Sequence, residues 1–188
     1  DKSFLRVSGP RRYQMHALML EFARVKLMEE SAEADVVAAA HGKYFVQIMA
    51  QKQSELIGGR QQAALLEIRS DIANIELALD WALGHQDARD ASQGAALLDA
   101  IDALFLFYTM RSWFLEGVLW FGEALTISAE APDSVMHAHL LARHGWLAYL
   151  AGQRTRGEAD LRLALQHFQA KGELVGQTFC TNYLGAMA

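Results

Sequence analysis

Three residues recur at a fixed interval in the second half of this chain: Gly117, Phe121 and Ala124 are followed 40 positions later (157 − 117) by Gly157, Leu161 and Ala164. Repetition at a period of about 20–50 residues marks a chain of stacked supersecondary units, each burying its apolar face only against its neighbours. A small residue, a large apolar one four positions on and a small one three beyond lie on one face of a helix. The recurring element is therefore a helix that meets its partner through a narrow seam. The phrase Gly145-Trp146-Leu147-Ala148-Tyr149-Leu150-Ala151-Gly152 supplies that partner. Gly145 and Ala148 share a face with Leu141 and permit close approach, and Gly152 breaks the helix. One period away stand Phe105 before it and Gly185, preceded by Leu184, after it.

Composition agrees with a helical chain. Of the 188 residues 52% are hydrophobic and only 2 are proline, Pro10 and Pro132, so nothing between them forbids helix. The length suffices for a sizeable core. A net charge of −5 argues against a nucleic-acid face, which needs a surplus of Lys and Arg to displace phosphate counterions. The lone cysteine, Cys180, excludes an internal disulfide, reads as a small core residue and places the chain in a reducing, cytoplasmic compartment. No apolar run reaches the roughly 20 residues that span a bilayer, so no membrane is expected, and no signal peptide is seen. The start on Asp1-Lys2-Ser3 and the end on Ala188, inside an apolar pattern, are expected to be cuts in a longer protein.

Taken in order, Phe4–Val7, the turn Ser8-Gly9-Pro10 and Arg11–Met15 predict a β-hairpin, the one such signal in the chain. A helix follows from His16 to about Glu30 on Leu18, Met19, Phe22, Val25 and Met28. Ala32–Ile57 predicts a long helix stopped by Gly58-Gly59, a helix end and not a phosphate loop, since no Gly-x-x-x-x-Gly-Lys-[Ser/Thr] occurs. Gln61–Ile68 and Ile72–Leu83 read as two helices with Ser70 or Asp71 capping the second, and Gly84–Ser92 as a boundary. Leu97–Met110 and Phe114–Ile127, joined around Arg111-Ser112-Trp113, make the first helical pair. Glu130–Ser134 is a linker with a capping signal, Val135–Ala151 and Arg156–Ala170 make the second pair, and Leu174–Ala188 opens a third.

Residues for catalysis are few. His137, His139 and His144 lack the i, i+4 spacing of a helical metal site, so no metal is expected. Asp99 with Asp102, and Glu33 with Asp35, read as solvated faces. Arg143, Arg154, Arg156 and Arg162 read as surface charge paired with Glu158 and Asp160. No nucleophile elbow, Cys-His motif or dinucleotide fingerprint occurs, and an enzyme with a buried site finds no positive residue. The more informative constellation is a stripe: His139, Ala142, Trp146 and Tyr149 share a helix face distinct from the glycine seam. Its copies are Asp99, Asp102, Leu106 and Thr109 one period earlier, and Phe179, Asn182 and Ala186 one later. Trp146 and Tyr149 are either anchors for a partner or packing against the next unit.

Two resemblances give these elements a context. Asp1–Leu5, Arg12-Tyr13-Gln14-Met15-His16 and Leu18–Ala23 resemble the close of the winged helix in bacterial signal-transduction ATPases with numerous domains, the STAND class, and more narrowly its LuxR-type and SARP-type transcriptional regulators. Asp71–Ile75 with Ala78–Leu83 resembles the helical arm of the same family. The resemblance implies that His16 senses the phosphate of a nucleotide held by an ATPase domain outside this chain; the alternative is a histidine capping the strand-to-helix junction. The small residues at 145, 148 and 157, with Leu161 and Ala164, resemble tetratricopeptide repeats of stretched period, whose first-helix stripe lines a groove.

The implied fold is all-α, a helical arm followed by a tetratricopeptide-like α-α superhelix, with one short hairpin from a winged-helix remnant. The implied division is residues 1–30 for the remnant, 31–90 for the arm and 91–188 for the repeats. The implied function is regulatory, without enzyme activity or cofactor in this chain, ATP or ADP being held by the ATPase domain. Its partners are that nucleotide-binding domain and an effector molecule or protein in a groove of Asp99, Asp102, Thr109, His139, Trp146, Tyr149 and Asn182. The alternative is a free-standing helical-repeat adaptor for protein–protein interaction.

Overall fold

In a computed structural model of the protein, which describes residues 5–9, 12–29, 31–85, 91–132 and 134–187, one β-hairpin precedes a series of α-helices. Among the described residues the structure is all-α apart from that hairpin. Residues 1–40 and 41–188 form two compact units, and the division falls inside a helix.

In the first unit β1 (Leu5–Gly9) pairs antiparallel with β2 (Arg12–Met15), Leu5 opposite Met15 and Val7 opposite Tyr13, with a register shift between Val7 and Gly9. Ser8 and Gly9 therefore belong to the strand and not to the turn; Pro10 and Arg11, which would close it, lie outside the described residues, as does Phe4. Helix α1 (Ala17–Glu29) follows directly, and α2 (Ser31–Ile57) carries the chain into the second unit. Val7, Tyr13, Leu18, Phe22 and Val25 are all exposed, and among the residues up to Ala40 whose burial is described none is buried. A two-stranded hairpin is marginal by itself, and the described side chains of this unit supply no buried core beneath it.

The second unit has one. Along α2, Val46, Met49 and Leu56 are buried, and along α3 (Gln61–Gly84) so are Ala64, Ile68, Ile75, Leu79 and Leu83. These are the three- and four-residue steps of one helix face. Gly42 seats Trp81, because a Cβ at Gly42 would lie 2.2 Å from the indole ring. Lys52, buried between the two helices, meets Glu55 at 2.9 Å and Glu67 at 2.5 Å, so its charge is paired where water is scarce. The two helices predicted at 61–68 and 72–83 are a single helix. Ser70 does not cap: its hydroxyl donates to the Glu67 carbonyl at 2.9 Å inside the helix, and the buried stripe runs unbroken past it.

After residues 86–90, which lie outside the described set, come α4 (Ala91–Arg111), α5 (Phe114–Ile127), one 3-10 turn, α6 (Val135–Leu150), α7 (Arg154–Lys171) and α8 (Leu174–Met187). Ser134 caps α6, its Oγ accepting the His137 N–H at 3.1 Å. The boundary expected at 84–92 is no break in packing, since one core runs from Met49 and Ile75 through Leu104, Phe107 and Phe121 to Leu147. A smaller cluster of Leu141, Leu161, Ala164, Phe168 and Cys180 joins α6, α7 and α8.

The 40-residue register is realised in the backbone. Gly117, Phe121 and Ala124 are buried, as are Gly157, Leu161 and Ala164. Gly145 and Gly157 bring α6 and α7 into main-chain contact: a Cβ at Gly145 would stand 2.8 Å from the Gly157 carbonyl oxygen, and one at Gly157 only 2.4 Å from that of Gly145. The turns repeat as well. Trp113, Gln153 and Glu173 donate to the carbonyls of Tyr108, Ala148 and Phe168 at 2.9, 2.8 and 2.9 Å, closing the same C-terminal cap on α4, α6 and α7. The residue this cap holds in the left-handed region is Gly152 or Gly172 in two cases and Ser112, with φ of 55°, in the third.

Candidate partner-binding face

Helices α4, α6 and α8 turn their stripes to a common side, because each opens a helical pair and the pairs are one period apart. Arg143 on α6 is the centre of this face. Its side chain is 4% exposed, its Nε and one Nη reach Asp102 Oδ1 on α4 at 2.8 Å each, and the other Nη donates to His139 Nδ1 at 2.8 Å. The guanidinium lies 4.3 Å from the centre of the Phe179 ring on α8. One side chain thus ties three successive first helices.

The electrostatics follow from burial. His139 is pushed down to about 3 by its burial and by Arg143, so the imidazole stays neutral and accepts at Nδ1. Burial raises the Asp102 carboxyl above its ordinary value, Arg143 pulls it back, and Asp99 adds to the rise. The Tyr183 phenol is likewise raised by burial.

Beside this knot runs a ladder of rings. Tyr149 stacks on Trp146 (5.4 Å between centres, 16° between planes), Trp146 packs on Tyr183 at 4.2 Å, Tyr183 on Phe179 at 4.4 Å, and Phe179 on Phe105 of α4 at 5.6 Å. Arg154 closes the far end 5.6 Å over Tyr149 and donates to the Met187 carbonyl. Trp146, Tyr149, Phe179 and Tyr183 are half-buried, so part of each residue remains open to solvent. Trp146 therefore packs on the next unit and stays partly exposed.

The residues singled out in the sequence fall into three groups. Asp102, His139, Trp146 and Tyr149 are gathered in the knot and the ladder, with His139 only 3% exposed beneath Arg143 and the Phe168 ring. Asp99 and Asn182 are exposed at the margins, while Thr109 is half-buried and donates to its own helix at Phe105 O, 2.8 Å. His16, in the other unit, is exposed and caps α1: its Nδ1 accepts the Leu18 N–H at 3.3 Å, and its carbonyl accepts those of Met19 and Leu20 at 2.9 Å. The three clustered histidines have separate partners, His137 with Ser128 Oγ at 2.8 Å, His139 with Arg143, and His144 with Asp160 at 2.7 Å. Cys180 is buried, and burial pushes its thiol up to about 11.

Arg143 is the main correction. Read from the sequence as surface charge, it is buried, because it sits one position past the stripe and reaches Asp102 on α4, the first helix of the preceding pair. Arg156 and Arg162 do pair on the surface, with Asp160 at 3.9 Å and Glu158 at 2.7 Å. Phe105 and Tyr183 were also missed as members of the face. The signal for them was the repeat itself, since Phe105 stands in the Gly145 column and Tyr183 in the Arg143 column. Among the described residues no helix is long and apolar enough to cross a membrane. No protein-family description matches this chain, and no curated protein or solved structure matches it significantly.

Proposed function

We propose that this chain is the regulatory middle of a bacterial STAND-type transcriptional regulator, working in the cytoplasm: a winged-helix remnant in residues 1–30, a helical arm in 31–90 and the start of a tetratricopeptide-like sensor array in 91–188. The observation that carries it is the common face of α4, α6 and α8. Three first helices one period apart present a half-exposed ladder of rings edged by the exposed Asp99 and Asn182, an arrangement suited to recognising a surface and not to bond chemistry. The first unit, with Val7, Tyr13, Leu18, Phe22 and Val25 exposed, fits a remnant that leans on the rest of a winged helix.

The mechanism is conformational. Arm and repeats hold the nucleotide-binding domain in its ADP state, and an effector or partner protein on the ring face shifts the balance toward the ATP state. To move such an equilibrium from 1:99 to 99:1 the effector must bind the favoured state about 10⁴-fold more tightly. His16, exposed beyond its capping bond, is assigned to the nucleotide phosphate; no catalytic step, cofactor, nucleic acid or membrane contact is assigned to this chain. A Gly-x-x-x-x-Gly-Lys-[Ser/Thr] loop in the same reading frame upstream of Asp1 supports this function, and an initiator Met directly before Asp1 overturns it. In the intact regulator, His16→Ala is expected to lose ADP retention, and unchanged retention reduces His16 to its cap. The free-standing adaptor is favoured by one observation, the continuous core that residues 41–188 possess by themselves.

A further inference from the structure

On the side of α3 turned away from the core, four residues stand in one line. Leu66 and Leu77 are 65% and 54% exposed, and Ser70 and Ala73 between them are exposed as well. Steps of four, three and four residues keep all of them on a narrow stripe, because each step is close to one helical turn. The stripe spans 11 residues (77 − 66), or about 16 Å. The Ser70 hydroxyl is folded back onto the Glu67 carbonyl, so the centre of the stripe is small and its polar group is already satisfied. Single exposed leucines are ordinary on a protein surface. Two that bracket a notch of small residues have the shape that another helix fills.

The order of the steps decides which helix, since it reads the same from either end. A second α3 laid antiparallel on the first sets Leu66 against Leu77 of the other copy and Ser70 against its Ala73. By symmetry each of these contacts occurs twice. Charge agrees with that pairing. Arg69, exposed, and Glu76, half-buried, lie on one flank of the stripe, and an antiparallel two-fold pair brings like flanks together. Arg69 of each copy then stands within one turn of Glu76 of the other. Arg69 has no ion pair among the described residues, and Glu76 accepts the Tyr108 hydroxyl on Oε1, leaving Oε2 for a second donor. In a parallel pair the Arg69 flank would meet Asn74 and Glu67, and Glu67 is already engaged by Lys52 and Arg60.

We propose that α3 is the surface through which two copies of this chain associate, as an antiparallel dimer whose two-fold axis passes between Asp71 and Ile72. One pair of helices covers less than the roughly 1,200 Å² of a standard interface, so the dimer is weak and forms where the chain is locally concentrated. It uses no residue of the ring face.

Sedimentation equilibrium of the chain from about 5 to 500 µM, the range in which so small an interface forms, is expected to show monomer passing into dimer. Leu66→Glu and Leu77→Lys alter exposed positions, so circular dichroism is expected to show an unchanged fold while each weakens association at least about tenfold. Leu174→Glu, at a leucine 72% exposed on α8, is expected to leave association unchanged. Mixing Leu66→Glu with Leu77→Lys is expected to restore the dimer, because the new carboxylate and the new ammonium face each other only when the two helices run antiparallel. Monomer at every concentration, a dimer that survives both α3 substitutions, an equal loss in Leu174→Glu, or a mixture that stays monomeric each overturns the proposal.

Discussion

Replacing Arg143 with alanine tests the centre of the ring face most severely. The substitution leaves the Asp102 carboxylate without the donors that meet it at 2.8 Å, leaves His139 Nδ1 without the guanidinium donor it accepts from and removes a cation from the Phe179 ring. Burial already raises the Asp102 carboxyl despite Arg143, so the intact pair is not itself a large net stabiliser. The damage comes from stranding the remaining charge, which costs about 3–5 kcal/mol for a buried pair. For a unit the size of residues 41–188 that corresponds to a fall in Tm of about 6–20 °C. Urea denaturation followed by circular dichroism gives the free energy, with an unchanged m-value as the control for compactness. Adding Asp102→Asn to Arg143→Ala is expected to recover about 1–2 kcal/mol by removing the stranded charge. Arg143→Lys is expected to recover little, since an ammonium cannot reach Asp102 and His139 as a fork. A loss for Arg143→Ala below about 1 kcal/mol would place the residue among ordinary surface pairs and refute the reasoning.

Three further outcomes are expected. Gly157→Ala forces a methyl against the Gly145 carbonyl and loses about 1–3 kcal/mol in the same denaturation assay, whereas Gly185→Ala, with nothing within 4 Å, is neutral or gains slightly from helix propensity. Ser112→Gly relieves a left-handed serine worth about 1–2 kcal/mol at a backbone-entropy cost of about 0.5–1, a small net gain in Tm. His139, held neutral to about 3, favours unfolding as pH falls below 6.5 because the unfolded imidazole takes the proton first; the wild type should lose about 1.4 kcal/mol per pH unit relative to His139→Gln between pH 6.5 and 4.5, and parallel curves would refute it.

How far the sequence foretold this molecule depends on whether a feature was periodic. Helix α5 was predicted end for end at Phe114–Ile127, and the capping signal read in Glu130–Ser134 is realised at Ser134, because caps and apolar periods are local chemistry. Gly145 with Ala148 was read as a seam and Gly157 as a repeated small position, because Gly117 stands one period before it; that the two glycines meet main chain to main chain is a fact of space. The division of α3 failed because Ser70 looks like a cap, and only its neighbours in space reveal that its hydroxyl is occupied within the helix. Arg143 failed for a different reason. Its partners Asp102 and Phe179 lie 41 positions before it and 36 after (143 − 102 and 179 − 143), so neither matches the 40-residue step and nothing local distinguishes it from Arg156 or Arg162. The ladder was partly legible: Trp146, Tyr149 and Phe179 stand on the stripe, while Phe105 and Tyr183 join from other columns.

The two kinds of junction in this array differ mechanically. Within a pair, α6 and α7 touch main chain to main chain through Gly145 and Gly157, a joint with no rotamers to yield. Between pairs, α6 and α8 meet through tilted rings and one guanidinium, which can slide. Load along the array would stretch the Trp146–Tyr183 junction well before α6 parted from α7. The chain is in that sense a spring of stiff leaves and compliant hinges, with Trp146 placed where its fluorescence would report the strain.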